Sequence, residues 1–446
     1  MTFDAPPMPG LTAAIVDFAT RPPEWPAIPE AIRQMAQAGV VDTVAVILAG
    51  LGEDSVRLLA RHHGVAAGQG APVGLGLLGR APAATSALLD AVAAHALDYD
   101  DVGFGLHPSA VIVPTLIAGS HGAKIDGRRF LTALVVGYEV AAVLAAREPG
   151  SLHEKGWHPS SALGGVAATA ALGTLLGLDA GTLANALGLA AATASGLTAN
   201  FGTMAKHLQV GLSAGSALEA VALARAGITA SQTVIEHHGG LLAALSPTGK
   251  AARGPHLFGT DWQLLRTPVQ VKKYPVCFGA HKALDAFLTL RQRDGLRAEE
   301  IREIRLRIRP AQLAILHAHR PADPMQARFS MEFAMASAAL FGRLGLRELT
   351  PEVICSPAVQ DFYSRVTPFV PDSADPSFGS EAIEIICADR RIALDGLSPP
   401  TAGTDLLPKF RDCLSGHPQI DAPALFARLS GLADVADCAE IFTLTN

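Results

Sequence analysis

At 446 residues the chain is too long for one simple core, so two domains are expected. Hydrophobic residues make up 49% and charged ones only 17%; the formal net charge of −6 comes without any basic run, which argues against nucleic acid as a partner. The five cysteines (Cys277, Cys355, Cys387, Cys413 and Cys438) are odd in number and contain no CxxC pair, which speaks against a zinc ribbon or a disulfide framework and for a reduced, cytoplasmic home.

The opening stretch MTFDAPPMPGL lacks a basic region and carries an aspartate, so no signal peptide is expected. From about residue 11 to 245 the pattern is helical, with Ala- and Leu-rich segments punctuated by Gly, Pro and Asp. PPEWPAIPEAIRQMAQAGVVDTVAVILAG opens it with proline starts and a glycine stop. A mean hydropathy of +0.30 makes a membrane span the first alternative. The best candidate span, Ala162 to Leu178, is mostly Ala and Gly between polar ends, and it reads better as a buried helix than as a membrane partner. Ser213 to Ile228 closes the run with small residues at the close spacing of tight helix packing.

The texture changes near Pro268. EIREIRLRIRP puts Ile304, Leu306 and Ile308 on one face and Arg305, Arg307 and Arg309 on the other, as in a half-buried strand. EAIEIICADRRIALDG reads as a hairpin turning around Asp389, and MEFAMASAALFG and PEVICSPAVQDFYSRV between them read as helices. PALFARLSGLADV is a final helical return. The expected fold is mainly α: a large all-helical domain (1–266), a smaller α+β lid domain (267–397), and a C-terminal return to the helical domain (398–446). A small-molecule site is expected in the cleft between domains.

Several stretches carry candidate chemistry. GLGLLG, Gly74 to Gly79, matches a dinucleotide fingerprint, but a loop precedes it and a helical array follows, so nucleotide binding is set aside. HALDYDDVGFGLHP, His95 to Pro108, is either a solvated turn or one wall of a site. Asp98, Asp100, Asp101 and His107 in it form no convincing metal set, because adjacent aspartates diverge. In HEKGWHPSSALGG, His158 stands before Pro159, Ser160 and Ser161, a helix start whose N–H groups and dipole suit a substrate carboxylate. Lys206 and His207 are the only titratable residues between Asp179 and Glu219. Lys206 reads as a snorkelling lysine, a carboxylate anchor or an amine of lowered pKa. VKKYPVCFGAHKALDAF gathers Lys272, Lys273, Cys277 and His281 at the entry to the lid.

Taken together, HALDYDD…HP, GYE (Gly137 to Glu139), HEKGWHPSSALGG, AKHLQVG, KKYPVC…H and RFSMEFAMASAAL resemble the MmgE/PrpD family along essentially the whole chain. That resemblance implies a helical domain with an α+β lid, a homodimer, no metal or organic cofactor, and a polycarboxylate substrate. The family includes 2-methylcitrate dehydratase, cis-aconitate decarboxylase and iminodisuccinate epimerase. It implies catalytic roles for Asp98, His107, His158, Lys206 and Lys272, with Lys273, Tyr274, Cys277 and His281 around the substrate. Asp98 is then expected to face the pocket, and Asp100 and Asp101 to anchor the turn. Lysines and histidines hold the carboxylates while one base takes a proton beside a carboxylate, and the same cations stabilise the charge that develops.

The chain departs from the family's lyases where a threonine, a histidine and a tyrosine are replaced by Val102, Cys277 and Phe333, and the loop before His107 is a residue shorter. Losing those donors removes help for a leaving hydroxyl. The expectation from sequence is therefore an isomerase, a cofactor-independent epimerase of a substrate such as iminodisuccinate. The alternative is a lyase of the dehydratase or decarboxylase type, with His281 or Tyr274 serving in place of the missing donors, and a third is a silent polycarboxylate binder. Cys277 reads as an active thiol or a small apolar filler.

Overall fold

A computed structural model of the protein describes residues 10–66, 68–372, 380–398 and 406–444. Most of the N-terminal stretch read for targeting, 1–9, lies outside the described residues, as do 399–405 at the expected start of the C-terminal return. The fold is mainly α, with a smaller α+β part. The chain divides into two compact units, one of Met1–Ala96, Asp100–Val271 and Leu406–Asn446, the other of Leu97–Tyr99 and Lys272–Asp405.

The first unit is a helical array: α1 (Leu11–Thr20), α2 (Glu30–Gly50), α3 (Asp54–His62), α4 (Ala83–Ala96), α5 (Pro108–Ser120), α6 (Gly127–Ala146), α7 (Leu152–Lys155), α8 (Pro159–Leu176), α9 (Ala180–Ala192) and α10 (Met204–Arg225). α4 packs on α2, α5 and α10, and α8 packs on α5, α6 and α10. Helices Leu407–Cys413 and Ala422–Ser430 pack against α2. Small residues set these approaches. A Cβ on Gly211 would stand 2.5 Å from a Val92 methyl, and one on Gly215 would stand 3.0 Å from the Ala84 carbonyl oxygen. α8 begins at Pro159, whose missing N–H costs nothing in a first turn. It ends at Gly177 with φ 64°, where Leu178 N–H reaches back to the Gly173 carbonyl.

Three helices (Glu30–Gly50, Gly127–Ala146 and Pro159–Leu176) are long and apolar enough to cross a membrane by length and composition. Within the fold their apolar windows are 67%, 83% and 94% buried, so neighbouring helices already cover most of that surface. GLGLLG lies in an antiparallel hairpin, β1 (Ala71–Val73) with β2 (Gly79–Ala81), joined by a 3₁₀ turn. Gly74 N–H donates to the buried carboxylate of Asp90 at 2.6 Å, so this backbone holds a side chain where the dinucleotide motif would hold a phosphate.

The second unit is built on a four-stranded sheet of order β4-β3-β5-β6. β3 (Ile301–Arg307) pairs parallel with β4 (Val366–Phe369) and antiparallel with β5 (Ala382–Cys387), which pairs antiparallel with β6 (Arg391–Asp395). The alternation in β3 is as its sequence reads: Ile304, Leu306 and Ile308 are buried, Arg305 is exposed. Helices His281–Asp294 and Met331–Phe341 bury Phe287, Phe333 and Met335 in the same core. The segment expected as one helix from Pro351 is broken by Pro357 into Pro351–Ile354 and Pro357–Phe362. Its last expected residue, Val366, instead opens strand β4.

Candidate active site

α4 runs into the acidic stretch with His95 buried in its last turn. The chain then turns through Asp98, a non-glycine residue at φ 51°, a left-handed conformation costing about 1–3 kcal/mol that the surroundings must hold. What holds it is in the second unit. Lys272 Nζ lies 2.9 Å from Asp98 Oδ2 and 2.9 Å from the Asp98 carbonyl oxygen, and both residues are buried. The lysine thus neutralises the carboxylate and satisfies a turn carbonyl at once.

Asp100, two residues on, belongs to the first unit. Its Oδ2 accepts from His95 Nδ1 at 2.8 Å and stands 3.2 Å from His107 Nδ1. Burial opposes its charge, but the two imidazoles outweigh burial and hold the carboxyl well below the usual carboxylate range. An ionised carboxylate only accepts, so His95 carries its proton on Nδ1 and exposes the Nε2 lone pair. His107 Nδ1 also meets the Asp101 carbonyl at 2.9 Å, another acceptor, which assigns the same tautomer. His107 N–H donates to Ser160 Oγ at 3.0 Å, tying the start of α5 to the start of α8. Burial pushes His95 down to about 4, with Lys206 and His107 adding to the effect, so its ring is neutral.

Asp101 does anchor the turn. It accepts from Ser109 N–H at 3.2 Å and from the Ser109 hydroxyl, which also meets Tyr138. Burial, with Asp42 and Asp100 nearby, pushes its carboxyl up to about 8, so it is protonated at neutral pH.

His158 sits at the N-cap of α8 without capping it. Its Nδ1 lies 3.2 Å from Gln209 Nε2, and Gln209 Oε1 is occupied by Leu197 N–H at 2.7 Å and Asn200 Nδ2 at 3.0 Å. Those contacts fix the amide so that Nε2 donates to His158, which places the His158 proton on its own Nε2. That Nε2 is buried and has no hydrogen-bond partner among the described residues. Burial, followed by His95 and Lys206, holds the His158 ring well below the usual histidine range. Phe201 is a platform for the group: its ring centroid is 5.0 Å from that of His158, 6.1 Å from that of His153 and 5.4 Å from Lys206 Nζ. Lys206 and His207 are both buried in the first turn of α10. Lys206 acts electrostatically on His95, His153 and His158, which favours an anion over a dication beside these rings.

The remaining expected residues, Lys273, Tyr274, Cys277 and His281, lie in the second unit. Lys273 pairs with Asp285, and Tyr274 donates to the same carboxylate at 2.8 Å. Burial and Asp285 raise the Tyr274 phenol above its ordinary range. His281 is buried with Nε2 3.1 Å from the Val276 carbonyl, and Cys277, half-buried, donates its N–H to the Arg328 carbonyl at 2.8 Å. The structure therefore gathers His107, His158 and Lys206 in one unit and Asp98 with Lys272 in the other. Asp100, expected only to anchor the turn, instead lies between two histidines. His95, His153, Phe201 and Gln209 were not anticipated. His95 opens the acidic stretch, but a histidine on an alanine-rich helix carries no pattern of its own.

Two family profiles match this chain: the MmgE/PrpD N-terminal domain over residues 15–253 and the MmgE/PrpD C-terminal domain over residues 274–423. The chain belongs to the MmgE/PrpD family. Within it, the chain is 28% identical to cis-aconitate decarboxylase of Homo sapiens over 387 residues, 82% of this chain and 80% of that protein. It is 27% identical to cis-aconitate decarboxylase of Mus musculus over 322 residues, 69% of this chain and 64% of that protein. A shorter match, 29% over 202 residues, links it to cis-aconitate decarboxylase of Aspergillus terreus, covering 42% and 41% of the two chains. These relatives are lyases, which favours the lyase alternative over the epimerase expected from the sequence.

Proposed function

We propose that this MmgE/PrpD protein is a lyase acting on a small polycarboxylate, with decarboxylation of a cis-aconitate-like substrate as its reaction. The observation that carries the reading is a set of imidazoles and one lysine in the first unit, the buried His158 and Lys206 and the half-buried His107, the last with Nδ1 3.2 Å from the Asp100 carboxylate, in a chain whose relatives are decarboxylases. Lys206 supplies a cation and His158 an Nε2–H for substrate carboxylates. When a substrate carboxylate leaves as CO₂, the bonding pair stays on carbon and spreads toward a retained carboxylate, where these donors stabilise it. His107, with Nδ1 3.2 Å from Asp100 Oδ2, then passes a proton from Nε2 to carbon. Asp98 and Lys272 are assigned to the reaction on the family resemblance.

A second reading, epimerisation, is favoured by one observation: Val102 and Phe333 offer no side-chain donor where family lyases have a threonine and a tyrosine, and Phe333 is buried in the core of the second unit. Proton NMR in D₂O with cis-aconitate, 2-methylcitrate and iminodisuccinate separates the two. Loss of CO₂ from cis-aconitate, or a new vinylic signal from 2-methylcitrate, supports the lyase. Exchange and inversion at the α-carbon of iminodisuccinate, with no alkene and no CO₂, replaces it with the epimerase.

A further inference from the structure

We propose that Asp100 is the positioning residue of this site, holding His95 and His107 in the Nδ1–H tautomer so that His107 presents Nε2 as its proton-carrying atom. The inference rests on the lyase or epimerase chemistry assigned to His107 and adds a residue pair to it.

The geometry singles out this carboxylate. Asp98 is matched by Lys272, and Asp101 is occupied by Ser109. Asp100 has no lysine or arginine among its ion-pair partners in the described residues; a single oxygen, Oδ2, serves two imidazoles. Its other oxygen, Oδ1, is buried and has no hydrogen-bond partner among the described residues. Burying a charge in this way is costly, so a carboxylate kept ionised here points to use of its charge.

His95 completes the arrangement. Its side chain is inaccessible, its ring centroid is 4.6 Å from that of His107 in an edge-on contact, and it lies 5.6 Å from that of His158 in a stacked one. It therefore holds Oδ2 in place by donating to it, and it spaces the two functional rings. The consequence is a division of labour. His107 offers an Nε2 lone pair or, once protonated there, an acid, with Asp100 fixing the ring through Nδ1. His158 offers a fixed N–H from the opposite tautomer. The groups around His107 include the Asp100 carboxylate and the Asp101 carbonyl from the turn, His95 from α4, His153 from α7 and His158 from α8.

The first test needs no substrate: long-range ¹⁵N–¹H correlation on the ¹⁵N-histidine-labelled protein, with His95 and His107 assigned by single substitutions. The expected result is the Nδ1–H form at both rings and the Nε2–H form at His158. An Nε2–H form at His107 overturns the proposal whatever the substrate proves to be. The second test is kinetic, using cis-aconitate or the compound that turns over in the panel above. Asp100→Asn is expected to lower kcat about 10²–10⁴-fold with KM within about threefold, and to change the pH–rate profile, because a buried carboxylate charge beside the reacting ring is lost. A loss of rate with an unmoved pH profile means that Asp100 is merely structural. Should Asp100→Asn fail to fold, the His95 variants carry the test. His95→Asn, whose amide still donates to Asp100, is expected to retain roughly a tenth or more of the rate, and His95→Leu to lose about as much as Asp100→Asn. Equal rates for the two His95 variants contradict the proposal.

Discussion

Asp98 and Asp100 are two residues apart, yet they live in opposite electrostatic settings. In the second unit, Asp98 and Lys272 form a pair in which the ammonium meets both the carboxylate and the carbonyl of the same residue. In the first unit, Asp100 faces two imidazoles, a lysine acts on the rings around it, and the buried atoms His95 Nε2, His158 Nε2 and Asp100 Oδ1 have no hydrogen-bond partner among the described residues. The first arrangement stabilises a strained turn. The second keeps polar atoms available, at a cost in stability, and availability is what a reaction needs. Adjacent acidic residues in one motif thus differ in their partners, Asp98 meeting an ammonium and Asp100 two imidazoles.

The largest expected effect breaks the Asp98–Lys272 pair. Lys272→Met takes from the buried Asp98 carboxylate the ammonium that stands 2.9 Å away, and a stability loss of about 3–5 kcal/mol is expected in denaturant unfolding. Adding Asp98→Asn to Lys272→Met is expected to recover most of that loss, because the carboxylate charge that lost its ammonium is then removed as well. If the double variant is no more stable than the single one, the two residues do not act as the pair described above.

A smaller effect sharpens the contrast on the open side. His95 and His153 are each pushed down to about 4, and His158 lies well below its ordinary value, so the folded protein keeps them neutral. The unfolded chain takes up protons at these positions below its ordinary histidine pKa of about 6.5, whereas the folded chain does not until near 4. Stability is therefore expected to be full above about pH 6.5 and to fall progressively toward pH 4, seen as a declining Tm. Removing Lys206, one of the groups that lowers these rings, brings their folded values closer to the unfolded one and is expected to make that decline smaller. An unchanged decline in Lys206→Met contradicts the shared electrostatics.

The smallest effect concerns Asp101. Its carboxyl, raised to about 8, gives a contribution present below the unfolded value and lost as pH rises through the folded one. Asp101→Asn removes the titration, so its Tm relative to the parent protein is expected to become more favourable between about pH 5 and pH 8. A difference that stays constant with pH shows that Asp101 does not hold its proton in the fold.

Much of this organisation is legible in the sequence for identifiable reasons. The start of α8 follows from Pro159 behind His158, β3 from strict alternation around Ile304 and Leu306, and the β5–β6 hairpin from its turn near Asp389. Strand β4 escapes notice because it holds only four residues, one of them Pro368, directly after a helix. The roles of Asp98 and Asp100 escape for a different reason. Which way each carboxylate faces depends on the left-handed turn at Asp98, and nothing in a run of aspartates announces a backbone angle. His95 is hidden because the last turns of α4 are buried on all sides, so no amphipathic stripe marks its face. Gln209 carries no pattern of its own in the sequence, although it sets the tautomer of His158.

The most direct test of the central claim is the fate of cis-aconitate with the purified protein in D₂O, followed together by NMR and by CO₂ release, for the parent protein and His107→Gln. The account predicts CO₂ release matched by a product carrying one new C–D bond, with the rate lowered about 10²–10⁴-fold in His107→Gln. No CO₂ from cis-aconitate, together with inversion of iminodisuccinate at an unchanged rate in His107→Gln, would contradict both the lyase assignment and the role given to His107.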